Sequence, residues 1–286
     1  MNIFEFRDQL TNDEFGRKSM IVEWNTHIFS PDLHKYPFHE KAVYKPDVSG
    51  MPADPLGVYL QRMGQEGIDR AVLVHPEPYG DDHRLILECL RRERERLKGT
   101  CLFYPKDPDA QYKMEELVAK EPNIIAFRMH AHRGKEMYLD SFTSAEVRLL
   151  WEKALQLGLI IELHIGPNYA KQVVEMLRDY PDSKVLIDHL AEPYMGDAVE
   201  YADVLSLAEF DGVYMKLSGL NHFAKDAPLY LSARSFTRIV IKAFSPDRLV
   251  WGGGTPKIVD AHIQGYTETE IAKVKGDNLS NLLGFS

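Results

Sequence analysis

Short apolar runs alternate with amphipathic segments along most of this chain. The runs predict eight buried strands: Ile21–Phe29, Arg70–His75, Thr100–Tyr104, Ile124–His130, Leu159–Ile165, Lys184–Leu190, Val213–Leu217 and Leu249–Gly253. Apolar residues at helical spacing predict helices between them: Leu56–Gln65, Asp82–Leu97, Met114–Lys120, Ala145–Leu157, Ala170–Arg178, Ala198–Phe210, Ala233–Phe244 and a closing Asn278–Leu283. Strict alternation makes the strands parallel, and eight of them in about 250 residues favour one α/β domain, a closed (β/α)8 TIM barrel. A doubly wound open sheet is disfavoured because no Gly-x-Gly-x-x-Gly turn follows the first strand.

The barrel is predicted to occupy residues 21–286, after an N-terminal extension of residues 1–20. That extension is rich in charged residues and lacks an apolar core, so we expect no signal peptide. No apolar run approaches the roughly 20 residues of a membrane span. The net charge of −9 argues against binding to nucleic acid. Cys89 and Cys101 form no Cys-x-x-Cys pair, which suits a reducing cytoplasm. We therefore expect a cytoplasmic protein whose partner is a small anionic molecule, and barrels of this size often form homodimers.

Polar side chains gather where the predicted strands end, which is where barrels of this kind carry their chemistry. The candidates are Asn25, His27, His75, Arg128, His130, Glu162, His164, His189 and Lys216. Alternation along the first strand places Glu23, Asn25 and His27 on one face, predicted to point at the barrel axis. Asp188 is expected on the face opposite His189, with a structural role. No folding requirement explains so many histidines at strand ends, so the set predicts a functional site.

Five motifs, in order along the chain, resemble one enzyme family. They are Gly67–His75, Val185–Pro193, Val213–Gly219, Arg248–Pro256 and Gly276–Gly284. In these motifs the chain is similar to the amidohydrolase superfamily. Within it, the likeness is to the amidohydrolase-2 branch of pyrone dicarboxylate lactonase, sugar-acid lactonases and related decarboxylases. The resemblance implies a hydrolase of a small carboxylated or hydroxylated substrate, with a lactone or ester favoured.

Two positions depart from the pattern of that family. Members usually open with Asp-x-His-x-His, where both histidines bind or face a divalent metal, but here Asn25 replaces the first histidine and His27 remains. Strand eight usually ends in an aspartate that activates water, and Gly254 stands at that position. The histidines of strands five and six have counterparts in His164 and His189. The standard metal-and-aspartate hydrolysis therefore cannot run here in the usual way.

One reading of these departures is hydrolysis without a metal, which the resemblance to pyrone dicarboxylate lactonase implies. The catalytic candidates are His27, Glu162, His164 and His189. His189 would polarise the substrate carbonyl, and Glu162, Glu23 or His27 would act as general base. The substrate-binding candidates are Asn25, His75, Arg128, His130 and Lys216, of which Arg128 and Lys216 would hold substrate carboxylates or hydroxyls.

A second reading is a relocated site for one divalent metal, zinc or manganese. Its candidate ligands are His27, His164 and His189, with Glu162 as a fourth. His130 and His132 offer another pair at strand spacing. Imidazole and carboxylate donors suit zinc, whereas the neutral amide of Asn25 suits a harder cation.

A third reading is that the barrel has left hydrolysis behind. The site could then catalyse a lyase, isomerase or decarboxylase step, or bind a ligand without turnover. The loop after the first strand, Ser30–Pro55, is long enough to contact substrate, and whether it closes over the site stays open. His34, His39 and His222 lie in predicted strand-end loops from which they could reach substrate, and exposed loop histidines are the favoured interpretation of each.

Overall fold

Eight parallel strands form one nearly closed barrel in the computed structural model, which describes residues 19–131 and 138–285. The strands are β1 Val22–Thr26, β2 Arg70–Leu73, β3 Leu97–Cys101, β4 Ile124–His130, β5 Ile160–His164, β6 Val185–Ile187, β7 Val213–Leu217 and β8 Leu249–Trp251. Each pairs in parallel with the next along the chain, and β8 lies beside β1. The predicted (β/α)8 barrel is confirmed.

Helices follow the strands and pack on the outside of the barrel. They are α1 Pro55–Glu66, α2 Arg84–Arg92, α3 Ala110–Lys120, α4 Ala145–Gln156, α5 Ala170–Asp179, α6 Ala198–Ser206, α7 Arg234–Phe244, α8 Lys257–His262, α9 Glu268–Ala272 and α10 Asn278–Leu283. The helix predicted over Asp82–Leu97 ends at Arg92 because β3 already begins at Leu97. The predicted extension lies largely outside the described residues. Within the described ranges, no helix is long and apolar enough to cross a membrane.

Two apolar layers make up the core. The barrel interior is filled by inward-facing apolar side chains of the strands and by Leu279 and Phe285 of the C-terminal segment. The inward-facing residues are Val22, Trp24, Val72, Val74, Ala126, Ile160, Leu186 and Val250. A larger layer, including Trp151 and Trp251, packs between the outer strand faces and the helices. The inward set fixes which side chain at each strand end can reach the axis, because strand side chains alternate.

The predicted orientation of the first strand is wrong for Glu23. Its carboxylate accepts hydrogen bonds from Tyr59 Oη (2.7 Å) and from Arg62 (3.1–3.2 Å), both on α1, so it faces the helices. Trp24 takes the inward position instead. The pairing of β1 with β2 shifts register between Trp24 and Thr26, and such a bulge changes the facing of the residues that follow. His27 therefore reaches the cavity at the strand end although Glu23 does not face the axis.

Candidate active site

Four buried charges lie at the barrel axis. Lys216 Nζ is 2.6 Å from Glu162 Oε1 and 2.5 Å from Asp188 Oδ1. Arg128 donates to Asp188 Oδ2 through Nη2 (2.8 Å) and Nε (3.1 Å). All four side chains are at most 3% exposed. Each charge has an opposite charge beside it, which is the condition for burying ions at acceptable cost.

The two carboxyl groups of this network differ in protonation. Burial and the neighbouring Asp188 carboxylate raise the pKa of Glu162 to about 7. Burial also acts to raise the pKa of Asp188, but Lys216 and Arg128 outweigh it and hold that pKa below its ordinary value. Near neutral pH, two cations are therefore balanced by one full and one partial negative charge. This four-residue network therefore retains a partial positive charge, which favours an anion beside Arg128.

The expectation that Asp188 faces away from the axis is wrong. Leu186 points inward on β6, so Asp188, two residues later, points inward as well. His189 reaches the cavity by another route, because β6 ends at Ile187 and the backbone then turns left-handed. Strand alternation cannot predict a side chain beyond such a turn.

Four successive residues without glycine adopt positive φ after β6. The angles are 51° at His189, 55° at Leu190, 57° at Ala191 and 48° at Glu192. The left-handed region costs L-residues roughly 1–2 kcal/mol each, so packing must hold this segment in place. Gly219 lies so close that a Cβ there would be 2.5 Å from His189 Cβ. The run brings both His189 and Glu192 to the same cavity.

A cavity of about 320 Å³ opens at the carboxyl ends of the strands. Five histidines and the Arg128 guanidinium line it, together with Tyr44, Glu77, Glu192, Tyr194 and Met195; the histidines are His27, His130, His164, His189 and His222. Such a volume suits a small-molecule ligand. The predicted residues His27, Arg128, His130, His164 and His189 are thus brought together.

A glutamate joins two of the cavity imidazoles. His164 Nδ1 is 3.2 Å from Arg128 Nη2, and because a guanidinium only donates, Nδ1 accepts. The His164 proton is therefore on Nε2, which donates to Glu192 Oε1 at 2.8 Å. The other oxygen, Glu192 Oε2, lies 2.8 Å from His222 Nδ1. Burial raises the pKa of Glu192, and its hydrogen bond with His222 opposes that rise.

Two further imidazoles are neutral. His27 Nδ1 donates to the Val74 carbonyl at 2.9 Å, and burial and the charge of Arg128 lower the pKa of His27 to about 3. His189 Nδ1 is 2.8 Å from Ser218 Oγ, and burial lowers the pKa of His189 well below its usual range. Within the described ranges, neither Nε2 atom has a hydrogen-bond partner. His27 Nε2 can therefore accept a hydrogen bond from a ligand or a water molecule, whereas His189 Nε2 accepts or donates according to whether Nδ1 or Ser218 Oγ carries the shared proton.

The donor arrangement does not fit a metal held by His27, His164 and His189. Donor atoms of His164, His189 and Glu192 lie within 4.8 Å of one another, which is a possible metal-binding group among the described residues. His164, however, has no lone pair to offer, because Nδ1 accepts from Arg128 and Nε2 donates to Glu192. Moving its proton to Nδ1 would set two donors against each other. A metal at Nε2 would have to break both hydrogen bonds, and a metal at Nδ1 would have to displace the Arg128 guanidinium.

Other sequence candidates lie away from this cavity. His75 is buried, and its Nε2 donates to Gly80 O (2.8 Å) beside the ring of His83. Glu162 and Lys216 belong to the buried network and do not line the cavity. Asn25 lines a separate cavity of about 160 Å³ next to Gly252, Gly253 and Gly254. The His132 candidate lies outside the described residues.

Six residues that line the cavity were not among the site candidates from the sequence: Tyr44, Glu77, Glu192, Tyr194, Met195 and His222. Tyr44 comes from the loop after the first strand, which was expected to contact substrate. Glu192 stands inside the Val185–Pro193 motif, but it lies beyond the end of β6. His222 was interpreted as an exposed loop residue, and it ends a short helical turn after β7. For Glu192 and His222, the available signal was a polar residue within about five positions of a strand end.

Comparison with known proteins agrees with this architecture. The family model described as Amidohydrolase, of the amidohydrolase-2 type, matches residues 24–271. The 4-sulfomuconolactone hydrolase of Hydrogenophaga intermedia is 25% identical over 268 residues, covering 92% of this chain and 82% of that protein. The L-fucono-1,5-lactonase of Burkholderia ambifaria is 24% identical over 219 residues, covering 75% and 72% respectively. A solved structure described as a probable 2-pyrone-4,6-dicarboxylic acid hydrolase, from Acinetobacter baumannii with citric acid bound, has a TM-score of 0.76 at 21% identity, covering 93% of this chain and 99% of that one.

These matches define the class of the protein. Because the family model spans most of the chain, the chain belongs to the amidohydrolase family. The predicted family and the predicted hydrolase class are confirmed.

Proposed function

We propose that this protein hydrolyses a small anionic lactone and that it does so with its own side chains rather than with a bound metal. The observation that carries this proposal is the position of Arg128. Its Nε and Nη2 atoms are held by Asp188 and His164, while Nη1 has no acceptor among the described residues. The residue is 3% exposed and lines the cavity. A fixed, buried guanidinium with a remaining donor can bind a carbonyl oxygen.

Arg128 would stabilise the charge that develops during ester cleavage. When water attacks a lactone carbonyl, negative charge collects on the carbonyl oxygen. Arg128 Nη1 can donate to that oxygen, and the contacts of Nε and Nη2 with the protein fix its direction. Such preorganised donors contribute more in a site shielded from water than in solution. The Lewis acid of the usual family site is then not required.

The neutral imidazoles would orient the substrate and the attacking water. His27 and His189 present unpartnered Nε2 atoms within the described region, and both line the cavity. The partial positive charge of the buried network supports an anionic substrate. Two relatives with lactone-cleaving names, and a structural neighbour with citric acid bound, agree with that substrate class.

A panel of lactones tests the proposal. Five- and six-membered lactones with and without a carboxylate or sulfonate substituent should be supplied to the purified protein, with proton release followed by a pH indicator. We expect hydrolysis of substituted lactones at a higher kcat/KM than of their uncharged analogues. Carbon dioxide release or isomerisation of matching acyclic acids, without lactone opening, would instead favour the non-hydrolytic reading. Binding without turnover would favour the ligand-binding one.

A further inference from the structure

We infer that His222 is the general base of this site and that Glu192 is the positioning residue that holds it. The inference rests on the proposed hydrolysis and names the group that replaces the aspartate absent at Gly254. It is carried by the linked contacts Arg128–His164–Glu192–His222, whose distances are 3.2, 2.8 and 2.8 Å. His222 lies outside the five motifs that the chain shares with its family.

The hydrogen bond to Glu192 determines which nitrogen of His222 can accept a proton. His222 Nδ1 faces the carboxylate oxygen, so Nδ1 carries the hydrogen and Nε2 carries the lone pair. Within the described part of the chain, this Nε2 has no hydrogen-bond partner. The His222 side chain is 32% exposed and lines the cavity, with its ring 5.2 Å from that of His189. A water molecule can therefore reach the basic nitrogen.

Other cavity imidazoles are less suited to this role. His164 has both nitrogens engaged, one of them with a cation. His27 and His189 feel the charges of Arg128 and Lys216, which oppose protonation of either ring. His222 is backed directly by a carboxylate, which stabilises the imidazolium formed when the base takes a proton.

Glu192 can position His222 because its own place is fixed from two sides. Its carboxylate is 2% exposed and binds His164 through one oxygen and His222 through the other. The left-handed run His189–Glu192 brings the carboxylate to this point. Since His164 also contacts Arg128, one chain of contacts fixes the distance between the oxyanion donor and the base. Attack of water on the carbonyl requires the guanidinium of Arg128 and the imidazole of His222 to be held at a fixed separation.

The step balances without any further reactant. His222 Nε2 takes a proton from water as the water oxygen bonds to the lactone carbonyl carbon, and the C=O electron pair moves to the oxygen held by Arg128. When that pair returns, the bond from carbon to the ring oxygen breaks. The ring oxygen takes the proton from His222. The product is a hydroxy acid, whose carboxyl group then ionises and releases one proton to solvent.

Variants of both residues test the inference on a lactone that the wild type hydrolyses. We expect His222→Ala to lower kcat by about 10²–10⁴-fold with little change in KM, because general-base catalysis contributes that much. Exogenous imidazole should restore part of the lost rate in His222→Ala. Glu192→Gln should lower kcat without rescue by imidazole, and Glu192→Asp should retain more activity than Glu192→Gln. His34→Ala removes an exposed loop histidine and serves as the matched control.

The outcomes separate the inference from the function on which it rests. Wild-type turnover with an unchanged kcat in His222→Ala would overturn the inference alone, as would a loss that imidazole does not restore in a variant with the wild-type melting temperature. A wild type that opens no lactone would overturn the proposed function, and the inference with it. His222 is partly exposed, so its truncation is expected to leave the fold intact.

Discussion

Replacing Arg128 with lysine is expected to lower kcat for lactone hydrolysis by about 10²–10³-fold, the usual loss when one oxyanion donor is removed. Lysine keeps the positive charge beside Asp188. It lacks the planar fork with which arginine binds Asp188 through Nε and Nη2 and still presents Nη1 to the substrate. The substrate carbonyl would then lose its fixed donor. Steady-state kinetics on the best lactone of the panel measures the effect.

The control for this change separates catalysis from folding. Arg128→Met leaves the Asp188 carboxylate with Lys216 alone, so it should lower the melting temperature as well as the rate. Arg128→Lys should lower the rate with a much smaller change in melting temperature. A kcat within about twofold of wild type in Arg128→Lys would contradict the role given to the guanidinium.

Replacing Lys216 with methionine is expected to have the largest effect on stability. Lys216 is fully buried between Glu162 and Asp188, and its loss leaves two carboxyl groups facing each other. Removing one partner of a buried ion pair typically costs about 3–5 kcal/mol. The melting temperature measured by circular dichroism should fall accordingly. In the double variant Lys216→Met/Glu162→Gln, part of the loss should return, because only one buried carboxylate then remains.

The same variant should respond to pH in a definite direction. In the wild type, burial and Asp188 already raise the pKa of Glu162 to about 7, and removing Lys216 raises it further. A carboxyl group whose pKa is higher folded than unfolded favours the folded state while protonated. The stability of Lys216→Met should therefore fall as pH rises from below 4.5, the ordinary value, through 7. A melting temperature that rises with pH over this window would contradict the assignment.

Strand alternation predicted the inward side chains well wherever the strand is regular. Arg128 and His130 on β4 share a face with Ala126 of the interior, and His164 follows Glu162 on β5 in the same way. These residues are two positions apart on continuous strands, so period two applies to them. The barrel itself was predictable for a related reason, since eight apolar runs and their helices leave little choice of architecture.

The remaining features depend on backbone irregularities that the residue pattern does not reveal. On β1, Glu23 faces α1, where Tyr59 and Arg62 bind it, and the register shift after Trp24 brings His27 to the cavity. The left-handed run after β6 brought His189 and Glu192 to the cavity. Both involve residues that ordinary propensities would leave in extended or helical conformations. Their positions follow from the packing of the whole barrel.

Glycine at position 254 removes the family's carboxylate and also suits the backbone conformation at the end of strand eight. Gly254 has φ +76°, and a Cβ there would lie 2.8 Å from Ile258 Cδ1. Arg62 also donates to the Gly254 carbonyl. An aspartate at this position would be strained, so changing Gly254 to Asp and Asn25 to His would not by itself restore the family's usual site. The left-handed backbone at Gly254 favours glycine, which agrees with a base placed elsewhere.

The most direct test of the account is lactone hydrolysis by metal-depleted protein. Tag-free protein should be analysed by elemental mass spectrometry before and after chelation, and the rate of hydrolysis measured on the same samples. Because His164 is committed to Arg128 and Glu192, the account predicts an unchanged rate when zinc, manganese and iron fall far below one atom per chain. Loss of hydrolysis on chelation, with recovery on stoichiometric zinc or manganese, would contradict it.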